Sequence, residues 1–132
     1  IKIAMEGKSK SKKILIVDDE KDVSDLLHEL LKNKFPDWQV KVAPDGFTAG
    51  RVIGEFYPDL IILDIMLPGV DGFHVCKQIR ADPLLAGILV LAMTGYDSPE
   101  MKERIMNCGA NDYLAKPMDN KVFIEKIQKL LS

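Results

Sequence analysis

The chain is poor in cysteine, in excess charge and in long apolar runs. Its two cysteines, Cys76 and Cys108, stand at no metal or redox spacing, so neither a disulfide framework nor a thiolate metal site is expected. Both fit a reducing cytosol, each as a small apolar residue on a helix. The net charge of -2 argues against direct nucleic-acid binding by this domain. No apolar run approaches the length of a membrane span. The start, Ile1 to Lys13, is basic and lacks the apolar centre of a signal peptide. Membrane and secretory classes drop out, and a cytoplasmic protein is expected. The two histidines, His28 and His74, have no partner at metal spacing and are expected to be structural or exposed.

What is present is a run of alternating elements. At 132 residues and 47% hydrophobic, the chain can build one core, so one domain is expected. Residues 1–12, with the Gly-Lys-Ser-Lys-Ser-Lys-Lys stretch from Gly7, read as a flexible linker or tag ahead of a domain over 13–132. Because numbering begins at Ile, an excised piece of a longer protein is expected. Leu60-Ile61-Ile62-Leu63-Asp64 is a continuous apolar run ending in a carboxylate, the pattern of a strand buried on both faces. Ile14-Leu15-Ile16-Val17 ends likewise, in Asp18-Asp19-Glu20. Further strands are expected at Trp38 to Ala43, Ile88 to Met93 and Asp112 to Ala115. Helices are expected from Lys21 to Asn33, from the Pro44-Asp45-Gly46 turn to Phe56, after Gly72, from Ser98-Pro99 to Cys108-Gly109, and from Asp119 onward. On the first, Val23, Leu26, Leu27, Leu30 and Leu31 are expected to face the core. Five repeats of strand then helix predict a doubly wound α/β sheet with helices on both faces.

In such a sheet the carboxyl ends of the strands line one edge, where ligands bind. That edge collects Asp18, Asp19, Asp64, Thr94 and Lys116. Taken singly, each acid has the bland reading of a helix cap, and the lysine that of a solvated residue. Taken together, three crowded carboxylates raise each other's pKa unless a cation neutralises them. Hard oxygen donors with room for water and phosphate oxygens suit Mg2+. An ammonium and a hydroxyl beside a carboxylate suit receipt of a phosphoryl group, with Asp64 as the nucleophile forming an acyl phosphate. Pro117 is expected to fix the backbone after Lys116 through a cis bond.

The motifs Val-Asp18-Asp19-Glu20, Leu63-Asp64-Ile65-Met66-Leu67-Pro68-Gly69-Val70-Asp71-Gly72, Met93-Thr94-Gly95 and Tyr113-Leu114-Ala115-Lys116-Pro117 follow in this order. With them, the chain from about Lys12 to Ser132 resembles a response-regulator receiver domain of two-component phosphorelays. The resemblance implies a flavodoxin-like, five-stranded parallel sheet of order 2-1-3-4-5. It implies Asp64 as phosphoacceptor, Asp19 and Asp64 as direct magnesium ligands, the Met66 backbone carbonyl as a third, and Asp18 acting mainly through water. Thr94 and Lys116 match the family's hydroxyl and lysine, and Tyr113 its switch aromatic. Implied partners are a sensor histidine kinase or a phosphotransfer protein, and a second copy through the fourth helix, fifth strand and fifth helix. The residue after the switch hydroxyl, often Ala, is Gly95 here, which loosens that loop.

Three other classes fit less well. An aspartyl-nucleophile phosphohydrolase needs an acid–base group near the nucleophile, commonly two residues on, where Met66 stands. The chain is therefore expected to be a phosphoacceptor switch, promoting its own phosphorylation and slow dephosphorylation, rather than a turnover enzyme. A nucleotide binder needs a Gly- or Ser/Thr-rich phosphate loop after the first strand, where the acids stand instead. A degenerate receiver would lack acceptor-site residues, and all are present. An output domain outside this chain is expected, a DNA-binding transcription factor ahead of a cyclase or hybrid kinase, with a single-domain regulator also open.

Overall fold

The computed structural model describes residues 11–132, so most of the expected linker lies outside the described residues. Strands β1 (Lys13–Val17), β2 (Gln39–Ala43), β3 (Leu60–Asp64), β4 (Leu89–Thr94) and β5 (Asp112–Ala115) alternate with helices. The helices are α1 (Lys21–Lys34), α2 (Gly46–Phe56), α3 (Gly72–Ala81), α4 (Pro99–Asn107) and α5 (Asn120–Leu131). The strands form one parallel sheet in the order 2-1-3-4-5, as expected.

Strand periodicity divides the core into two layers, because successive side chains point to opposite faces. Leu15, Val17, Ile61, Leu63, Val90 and Ala92 pack under α2, α3 and α4 with Ile53, Cys76, Ile79 and Ile105. Ile14, Ile16, Leu60, Ile62, Leu91 and Met93 pack under α1 and α5 with Leu27, Leu31, Phe123 and Ile127. Both faces of β1, β3 and β4 are therefore dry, which is why those segments read as unbroken apolar runs. The two cysteines are free and buried.

Caps fix the helix starts. Asp45, Asp71, Ser98 and Asp119 each accept backbone N–H bonds from the first turn of α2, α3, α4 and α5. Pro99 occupies the first turn of α4, and Gly109, at φ +101°, closes it. Gly72 is required by close approach: a Cβ there would lie 2.5 Å from the Asp64 carbonyl oxygen. Helix α3 thus begins pressed against the tip of β3.

Three expectations are corrected. Leu26 is 45% exposed, and the buried stripe of α1 runs through Ser24, Leu27 and Leu31, the i, i+3, i+7 line. Trp38 precedes β2; it is buried and stacked on Phe35 with ring centroids 3.8 Å apart. Strand β4 starts at Leu89 and includes Thr94, because the Ile88 N–H bonds to Leu85 and the Ile88 carbonyl accepts from Arg80 at 2.7 Å.

Candidate functional site

Register assembles the site. Val17 pairs with Leu63, Asp64 with Met93, and Thr94 with Ala115. One step beyond each pair lie Asp18 beside Asp64, then Thr94, then Lys116, so four strand ends deliver their polar residues to one rim. The Lys116 N–H donates to the Thr94 carbonyl at 2.7 Å, tying the last two tips together. The Lys116–Pro117 peptide is cis.

Each aspartate is held by its own loop. Asp18 Oδ1 accepts from the Glu20 N–H at 2.8 Å, and Asp64 Oδ1 from the Met66 N–H at 3.0 Å. The other oxygens converge on one ammonium: Lys116 Nζ lies 3.0 Å from Asp18 Oδ2, 3.2 Å from Asp64 Oδ2 and 3.0 Å from Glu20 Oε1. Asp18 and Asp64 are buried, Lys116 is half-buried and Glu20 is exposed. The ion pair at Asp18 Oδ2 has the distance but not the alignment of a hydrogen bond, which leaves that buried oxygen without a hydrogen-bond partner.

Charge is poised accordingly. Burial pushes the Asp64 carboxyl up from 3.8; the Met66 N–H opposes this, the Asp18 charge adds to it, and Lys116 offsets part of it. Burial would lower the Lys116 ammonium, but its contacts with Asp18 and Glu20 and the charge of Asp64 outweigh that and hold it above its ordinary value. Lys116 therefore stays cationic.

One carboxylate oxygen from each of Asp18, Glu20 and Asp64 lies within 4.8 Å of the others. These hard donors, with a buried orphan oxygen among them and an ammonium already held between them, fit a small divalent cation. Asp19 stands on the same tip but is exposed and outside that group. In the sequence nothing separates Glu20 from the other two acids of that tip. It sits at the N-cap of α1 without a side-chain cap bond, so helix capping does not account for it.

The remaining expected residues surround this cluster. Thr94 is fully buried; its hydroxyl accepts from the Tyr96 N–H at 3.0 Å and donates to the Tyr96 carbonyl at 3.3 Å. Tyr113 is half-buried, and its phenol donates to Asp97 Oδ1 at 3.0 Å, which raises the phenol's pKa. Met66 is 55% exposed, with no group able to carry a proton. His28 and His74 lie outside the carboxylate group, half-buried and exposed. Beside Lys116 opens an apolar cleft of about 400 Å³, lined by Val23, Leu26, Leu27, Pro117 and Met118.

Comparison with known proteins gives one family. The model of the response regulator receiver domain matches residues 14–128. The chain is 38% identical over 119 residues to the DNA-binding dual master transcriptional regulator RpaA of Synechocystis sp., covering 90% of this chain and 48% of RpaA. It is 35% identical over 120 residues to the response regulator PleD of Caulobacter vibrioides, covering 91% of this chain and 26% of PleD. The chain thus spans about half the length of one curated relative and a quarter of the other. Among solved structures, the signal receiver domain of a DNA-binding response regulator from Colwellia psychrerythraea superposes with a TM-score of 0.87 at 36% identity, covering 92% of this chain and 98% of that one. With the sheet order, the acidic rim and this match in agreement, the chain belongs to the response regulator receiver domains, the phosphoacceptor modules of two-component phosphorelays.

Proposed function

We propose that Asp64 is the phosphoacceptor, supplied by a phosphohistidine on a sensor kinase or phosphotransfer protein. The observation that carries this reading is the buried Asp64 Oδ2, 3.2 Å from a lysine that also touches Asp18 and Glu20. A carboxylate oxygen of Asp64 attacks phosphorus, the P–N bond of the phosphohistidine breaks, and the imidazole leaves with the electron pair. Lys116 then turns its charge from the carboxylates to the phosphoryl oxygens, and the Thr94 hydroxyl donates to another. A magnesium ion, when bound, supplies further positive charge there. Asp19 and Asp64, with the Met66 carbonyl, would hold it directly and Asp18 mainly through water, while Glu20, grouped with Asp18 and Asp64, adds to their charge. The positive charges around the phosphoryl oxygens promote the chain's own phosphorylation, and because Met66 offers no base for an attacking water the group is lost slowly.

The acyl phosphate switches an output surface. Driving a two-state element from almost off to almost on takes about 5.5 kcal/mol. Two or three hydrogen bonds to charged groups, at about 1.5–3 kcal/mol each, are of that size. Thr94 and Tyr113 carry the change to α4, β5 and α5, the face that a second copy would meet. RpaA and the Colwellia protein are described as DNA-binding, which supports a transcription-factor output for this chain's parent protein, acting in the cytoplasm.

The experiment is incubation with acetyl phosphate, with and without magnesium, followed by intact mass. A gain of one phosphoryl group that needs magnesium and vanishes in Asp64→Asn is expected. An adduct that persists in Asp64→Asn, or none in the wild type, overturns the assignment.

A further inference from the structure

Thr94 and Tyr113 are tied to the same short loop, residues 95–98 between β4 and α4. The Thr94 hydroxyl makes both of its bonds to the Tyr96 backbone. The Tyr113 phenol is bonded to the side chain of the next residue, Asp97. The loop has open space beside it at Gly95, where a Cβ would meet nothing within 4 Å. Drawing the Thr94 hydroxyl toward a phosphoryl group on Asp64 breaks its bonds to Tyr96. That frees the backbone that carries Asp97, and the Tyr113 ring, packed half-buried against the α2–α4 side of the core, loses its fixed partner.

We propose that Asp97 is a positioning residue of the switch: by accepting the Tyr113 hydrogen bond, it holds the ring in place and opposes the phosphoryl-driven rearrangement. This rests on the receiver reading and adds to it a residue that acts only through Tyr113. Because the bond coexists with the Thr94–Tyr96 bonds that the rearrangement breaks, its loss favours the other arrangement.

The test is titration with beryllium fluoride and magnesium, a mimic of the acyl phosphate, followed by amide NMR, which also reports the fold of each variant. Asp97→Ala and Tyr113→Phe are each expected to tighten apparent binding by about threefold to tenfold, the span of one net hydrogen bond. Asp97→Asn, whose amide oxygen still accepts, is expected to stay close to wild type. The double variant Asp97→Ala/Tyr113→Phe is expected to match either single one. Unchanged or weaker binding by Asp97→Ala overturns the proposal. So does Asp97→Asn behaving like Asp97→Ala, which would assign the effect to charge alone, and so does additivity in the double variant. A wild type that binds the mimic while Asp97→Ala is unchanged sinks this proposal only; a wild type that never binds it sinks the receiver reading too.

Discussion

Asp64 is ionised in the fold at a cost. Its folded pKa lies above 3.8, so between those two values the native state holds more protons than the unfolded chain, and stability falls as pH rises. Asp64→Asn removes that cost. In metal-free buffer the variant is expected to gain thermal stability over wild type progressively as pH is raised from the acid range to neutrality. A gain that does not grow with pH would contradict this description of the site. Lys116 also has a raised pKa and the same sign follows, but as a gain: its contribution is full at neutral pH and is lost as the pH rises into strong alkali. Lys116→Arg keeps the charge but not the compact ammonium that three oxygens share, so uncoupling of the switch is expected rather than loss of phosphorylation, read as adduct mass against output. At this scale the sequence was legible for Asp18, Asp64, Thr94 and Lys116, because strand ends dictate where those side chains go. It was not legible for Glu20 or Asp97. Glu20 reaches the lysine only through its own side-chain conformation, and Asp97 meets Tyr113 across 16 residues of chain.

The elements deliver the site by pressing on it. Helix α3 starts against the Asp64 carbonyl, so Gly72→Ala is expected to cost about 1–3 kcal/mol, with the β3 tip displaced. Urea denaturation checks the first and backbone amide shifts at Asp64 and Met66 the second; a neutral substitution would show that the contact is soft. Asp119 accepts the Lys121 and Val122 N–H groups at the start of α5, and Asp119→Ala is expected to cost about 0.5–2 kcal/mol by the same assay. Strands β3 and β5 and the starts of α4 and α5 were legible from apolar runs, proline and caps. The start of β4 was not, because whether Ile88 pairs in the sheet or binds Arg80 depends on α3 folding over it. Leu26 was misplaced for a related reason: five apolar residues crowd one side of α1, and only packing decides which line turns inward.

At the scale of the whole molecule, two dry layers hold a rigid sheet while the chemistry sits on its rim. Leu26, turned out of the core, lines the apolar cleft beside Lys116. Among the described residues no helix is long and apolar enough to cross a membrane. The most direct measurement is to locate the phosphoryl group. After acetyl phosphate and magnesium, borohydride reduction converts a phosphorylated aspartate to homoserine, which peptide sequencing by mass spectrometry assigns to one position. Homoserine at position 64 alone is expected; homoserine at Asp18, Asp19 or elsewhere, with position 64 unchanged, would contradict the placing of the chemistry at the tip of β3.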